Sequence, residues 1–160
     1  MWIGIGLVAI VVGGFLAGRF FIVPTFGTMP DDLGWRADEN RFKTCRDNPS
    51  TPNGNCVSST DPSDKRTYIE PIEFDGDVQS AKARIIAIIN EMPRHTVVTN
   101  EGNYLHVESF SAAWGFPDDT EFYFDTNNNV IHVRAAARLG EDDLGVNRER
   151  VETIREQFQG

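Results

Sequence analysis

The chain has 160 residues, with 15 Lys and Arg against 24 Asp and Glu, a formal net charge of −9 and 40% hydrophobic residues. Such an acid excess repels nucleic acid phosphate and anionic headgroups, so neither is expected as a ligand. Two cysteines, Cys45 and Cys56, are too few to close a structural zinc site, and they lack CxxC redox spacing.

Taken in chain order, the first element is an apolar run. No side chain from Trp2 to Gly18 is charged, and the run resumes through Phe20, Phe21, Ile22 and Val23 after Arg19. At about 1.5 Å per residue this stretch is about 33 Å long, enough to cross a hydrocarbon layer of about 30 Å. The length predicts a transmembrane anchor over residues 1–23, with Arg19 snorkelling to the headgroups. A cleaved secretory signal is the alternative. It needs a basic start and a small-x-small exit, whereas only the α-amino group precedes this run and Val23-Pro24-Thr25 is a poor cleavage site. Gly14 and Gly18 form a GxxxG step, which lets a second helix approach the backbone closely. Glycine is also common in membrane helices generally. The helix is expected to contact lipid and to dock on an integral membrane protein complex.

Residues 24–66 are rich in Pro, Asp, Asn, Ser and Thr, with isolated Trp35 and Phe42, and read as an irregular segment. A disulfide between Cys45 and Cys56 would close a short loop here and stabilise it by about 2–3 kcal/mol. That bond implies an oxidising compartment, so the soluble part is expected on the periplasmic side of an inner membrane. Arg19, Arg36, Arg41 and Lys43 argue for the opposite orientation by the positive-inside rule, but interspersed acids and distance from the anchor weaken their vote.

The soluble α+β domain is expected over residues 67–160. Setting Arg19 aside with the anchor leaves 14 basic against 24 acidic residues, a net charge near −10. Tyr68 to Phe74 reads as a strand that Pro71 confines to an edge or a bulge. Asp77 to Met92 carries Val78, Ala81, Ile85, Ile88, Ile89 and Met92 at helical spacing, with Asp75 or Asp77 to cap it and Pro93 to end it. Strands follow over Thr96 to Thr99, Tyr104 to Ser109, Thr120 to Asp125 and Val130 to Ala136, paired as two hairpins. A last helix, Asn147 to Phe158, turns Val151, Ile154 and Phe158 inward with Asn147 as its N-cap. The predicted architecture is a small antiparallel sheet with helices packed on one face.

Five stretches carry a resemblance: Tyr104-Leu-His-Val-Glu108, Phe116-Pro-Asp-Asp-Thr-Glu-Phe122, Val130-Ile-His-Val-Arg134, Arg138-Leu-Gly140 and Asp143-Leu-Gly-Val-Asn-Arg-Glu-Arg-Val-Glu152. Together with Asn55-Cys-Val-Ser58 and Ile69-Glu-Pro71, the chain resembles the domain-of-unknown-function family 1499 of bacteria and plastids over most of residues 45–158. The resemblance implies no activity. It departs from the family at Ala135, Ala136 and Ala137, where serines are usual, so no chemistry can rest on those hydroxyls.

Strand alternation places Leu105, Val107, Phe122, Phe124, Ile131 and Val133 toward the core. The other face then carries Tyr104, His106, Glu108, Glu121, Tyr123, His132 and Arg134. Three readings compete for it. His106, Glu108 and His132 could ligate a catalytic metal; Arg134, Arg138 or Arg148 could clamp an anionic small ligand; or the face could be solvated and laced with pairs such as Arg134 with Glu108. The third is favoured, because antiparallel sheets ordinarily keep one polar face. Asp118 and Asp119 point to opposite sides, Asp125 to Asn129 lacks the glycine and glutamate of a calcium loop, and Arg138, Asp142, Asp143, Arg148 and Arg150 read as a salt-bridged corner. No serine sits in a nucleophile elbow. No catalytic or cofactor motif is present, and the sequence predicts a non-enzymatic, membrane-anchored accessory or binding subunit.

Overall fold

The computed structural model describes residues 29–30, 33–47, 54–112 and 115–160. Among these no helix is long and apolar enough to cross a membrane; the expected anchor, with Gly14 and Gly18, lies outside them.

A sheet of six strands forms the body of the fold: β1 (Cys56–Ser58), β2 (Ile72–Glu73), β3 (His95–Glu101), β4 (Tyr104–Phe110), β5 (Pro117–Asp125) and β6 (Val130–Ala137). The order is β1-β6-β5-β4-β3, and every pairing is antiparallel. β1 and β2 share one edge of β6, opposite Arg134 to Ala136 and Val130 to Ile131 respectively. The expected α+β sheet is present, with the four long strands in their expected places. The stretch expected to be irregular adds the short strand β1 and a 3-10 turn over Cys45–Asp47.

Helices α1 (Val78–Glu91) and α2 (Val146–Gln159) contribute to the apolar core on one side of this sheet. Ile85 and Ile89 of α1 and Val151 and Ile154 of α2 meet Leu105, Val107, Phe122, Phe124, Ile131 and Val133, all with no exposed surface. Asp77 caps α1 by accepting the Ser80 amide at 3.0 Å, satisfying one of the donors left over in the first turn. Lys82 is buried on α1 amid this apolar side, and its ammonium donates to the Gly102 and Tyr104 carbonyls at 2.8 and 2.9 Å. It pins the β3–β4 turn to the helix, and burial pushes its pKa down.

α2 starts differently from expectation. Its N-cap is Gly145, in the left-handed region, and Asp143 does the capping: its carboxylate accepts the Gly145 and Asn147 amides at 2.9 and 2.8 Å. Asn147 lies one position inside the helix, fully buried, donating to the Asn55 carbonyl at 3.1 Å and so tying α2 to β1. The expected salt-bridged corner is replaced by these loop contacts, since Asp142 likewise accepts the Leu144 amide at 2.7 Å. Arg150 pairs instead with Asp118 at 2.6 Å, and Arg148 donates to the Arg66 and Tyr68 carbonyls.

Candidate functional site

The face turned away from the helices holds the predicted polar residues in rows set by register. His106, Glu121 and Arg134 stand side by side on β4, β5 and β6; Tyr104, Tyr123 and His132 form the next row. Glu108 and Asp119 pair opposite one another in a third, closed by Ala136.

The centre of these rows is not solvated, although Tyr104, Glu108, Tyr123 and His132 keep partial exposure. His106 and Glu121 are 1% exposed, Asp119 and Arg134 2%. The favoured expectation of an open polar face is corrected, because residues 34–45 lie across it. The Gly34 amide donates to Glu121 at 2.7 Å. Trp35 stacks on Tyr123 with ring centroids 3.9 Å apart and planes within 1°, and lies 5.3 Å from His132. Phe42, fully buried, meets Trp35 edge-on at 5.0 Å. The strap ends in a disulfide from Cys45 to Cys56 of β1, with Cα atoms 5.6 Å apart, and the cystine packs against Ala136. The predicted disulfide is present, and Ala136 lies beneath it.

Buried charge requires partners, since an isolated ion is costly away from water. Two networks supply them. In the first, Glu121 accepts from the Tyr104 hydroxyl at 2.8 Å and from Arg134 at 2.7 Å. In the second, Arg138 grips Asp119 with two bonds of 2.8 and 2.7 Å, and reaches Glu108 at 2.7 Å. His106 Nε2 lies 2.7 Å from the same Asp119 carboxylate. The expected Arg134–Glu108 pair is therefore not formed: Arg134 takes Glu121, its cross-strand neighbour, and Glu108 takes Arg138. Burial by itself would raise the Asp119 carboxyl, but hydrogen bonds and charge from Arg138 and His106 hold it below the ordinary carboxylate range. Tyr104 is driven up by burial and by the Glu121 charge, so its hydroxyl stays protonated and donates.

The proposed metal donors are dispersed by the same pairing. His106 and Glu108 are engaged by Asp119 and Arg138, and His132 stands two strands from His106. Among the described residues no three side chains of His, Cys, Asp or Glu form a group able to hold a metal ion. His132 has neighbours that sequence reasoning did not connect: Ser59 Oγ lies 3.5 Å from its Nδ1, and Asp125 lies 3.8 Å from its Nε2. The order Ser-His-Asp suggests a nucleophile relay. Both contacts are long, however, the Ser59 oxygen accepts the Val133 amide at 2.8 Å, and Asp125 is engaged in its turn by the Asn127 and Asn128 amides. Burial lowers the His132 pKa against the pull of Asp125. As anticipated, Asp118 and Asp119 serve opposite sides of the sheet, the first toward Arg150 of α2 and the second within the polar network.

The family described as Protein of unknown function (DUF1499) matches residues 44–158. No curated protein matches the chain. The chain belongs to the DUF1499 family.

Proposed function

We propose that this member of the family is a non-enzymatic accessory or binding subunit, anchored in an inner membrane by residues 1–23 and docked through Gly14 and Gly18 on a larger integral membrane complex, photosynthetic or respiratory. The folded domain is displayed on the periplasmic side. One observation carries the reading. The ionisable groups of the polar face are matched to one another and covered by the chain's own strap, an arrangement suited to rigid display rather than to turnover. The buried cystine supports an oxidising location. The apolar length and glycine step of the N-terminal run support the anchor and its docking.

A metal-dependent or small-ligand-binding enzyme on the polar face is the second reading. Its support is Arg134 Nε, a buried donor with no hydrogen-bond partner among the described residues, which an acceptor atom of a ligand would satisfy. Extraction of the tagged full-length protein in mild detergent, followed by native gels and mass spectrometry, separates the two. An accessory subunit is recovered in stoichiometric amount with one membrane complex, and Gly14→Leu with Gly18→Leu releases it. Migration alone would overturn the accessory reading.

A further inference from the structure

We propose that the end of the molecule where α1 gives way to β3 is a self-complementary surface that pairs two copies of this chain. A groove of about 320 Å³ opens there, with Met92, Phe110, Ala112 and Val146 forming its apolar walls. Phe110 is 36% and Val146 43% exposed, large values for side chains lining an apolar groove. Two residues before Val146 stands Leu144, 92% exposed.

Leu144 does nothing for the fold that its exposure would allow, and its backbone is unfavourable: φ is +55°, a region bulky L-residues avoid. The loop nevertheless holds it there, through Asp142 on its own amide and Asp143 on the amides of Gly145 and Asn147. A rigidly presented apolar knob beside an apolar groove is the geometry of an isologous contact, in which the knob of each copy enters the groove of the other.

Charge selects the same occupant. Arg94 and Glu149 both line the groove and are exposed, and no ion pair joins them. The Arg94 Nε donates to the Phe110 carbonyl at 3.2 Å, which orients the guanidinium while its terminal nitrogens bond no described residue. Across a two-fold axis each Arg94 meets the Glu149 of the other copy, so one patch supplies both signs. This contact is independent of Gly14 and Gly18, and tethering both copies to one membrane would raise their effective concentration.

The test is the oligomeric state of the full-length protein in mild-detergent micelles, followed by light scattering across a concentration series. Wild type should form a dimer. Leu144→Asp should weaken it by about tenfold or more, as expected for a central apolar contact. Arg94→Glu should weaken it too, and adding Glu149→Arg should restore it. Since Leu144, Arg94 and Glu149 are exposed, each variant should keep the fold. A wild-type monomer at every concentration would overturn the proposal. So would a dimer that persists in Leu144→Asp and is lost only in Gly14→Leu with Gly18→Leu.

Discussion

The two faces of one sheet are closed by opposite means. On the helix side, Ile85, Ile89, Val151 and Ile154 remove Phe122, Phe124 and their neighbours from water, and stability there scales with apolar area. On the strap side the same strands present His106, Asp119, Glu121 and Arg134, and a short irregular segment covers them with Trp35, Phe42 and a cystine. The first face loses stability with the apolar volume removed from it; the second depends on each charge meeting its partner, because an orphaned ion has no solvent to fall back on. Truncating one residue therefore has different consequences on the two sides even where the loss of stability is similar.

The largest effects should come from breaking each face at its centre. Phe122→Ala leaves a cavity in the helix side and should lower unfolding stability by about 3–5 kcal/mol at any pH. Asp119→Ala removes a two-bond carboxylate partner from Arg138 and the carboxylate that His106 contacts, and should cost a comparable ~3–5 kcal/mol. The pH dependence distinguishes them. Asp119 is held below its ordinary value of 3.8, so its contribution is present above that value and is lost as pH falls through the lower folded value. Denaturant titrations should therefore show the gap between wild type and Asp119→Ala narrowing in acid below pH 3.8, while the gap to Phe122→Ala persists. A gap that stays constant in acid would mean that Asp119 acts by packing rather than by charge.

Next in size is the covalent tie. Cys45→Ser with Cys56→Ser frees the strap from β1, and the chain-entropy relation for so short a loop gives a loss of about 3 kcal/mol. Amide exchange locates the effect: the Gly34 amide, bonded to Glu121, should lose protection while Val107 and Phe122 keep theirs. Uniform loss across the sheet would show that the two faces form one cooperative unit.

A smaller effect tests the seal itself. His132 titrates below its ordinary value of 6.5 because it is buried. The unfolded chain then binds a proton near pH 6.5 that the folded one refuses, so stability falls as pH drops from that value toward the folded one. Trp35→Ala uncovers the ring, and the His132 titration followed by NMR should move back up toward 6.5. An unchanged titration would place the desolvating contact elsewhere than Trp35.

The helix face was legible in the sequence because both of its components are periodic. Ile85, Ile88 and Ile89 repeat at helical spacing, and Leu105, Val107, Phe122 and Phe124 alternate, so which residues meet follows from period alone. The polar face was legible only in membership. Alternation placed His106, Glu121 and Arg134 together, but partner choice depended on registers that no local pattern encodes: Glu121 lies opposite Arg134, which removes Arg134 from Glu108. The cover was harder still. Trp35 reaches Tyr123 across 88 positions of chain, and its only traces in the sequence were two aromatics and a cysteine in an otherwise polar stretch. The cap of α2 failed for a related reason, since Asn147 is a good capping residue in isolation yet is taken by the Asn55 carbonyl.

The smallest expected effect has the opposite sign. A left-handed backbone costs an ordinary L-residue about 1–2 kcal/mol, and glycine would remove that cost while giving back about 0.5–1 kcal/mol in unfolded-chain entropy. With the Leu144 side chain 92% exposed there is almost no burial to forfeit. Leu144→Gly should thus unfold at equal or higher denaturant, by up to about 1.5 kcal/mol, and Leu144→Ala should change little because it keeps the strain. Neither face of the sheet behaves this way: every truncation there is expected to destabilise. A gain at Leu144 accompanied by loss of the dimer would mark the residue as held against the interest of the fold for the sake of contact with a second copy. A clear loss of monomer stability would instead mean that the side chain supports its own loop, and the contrast between fold residues and surface residues would fail at this position.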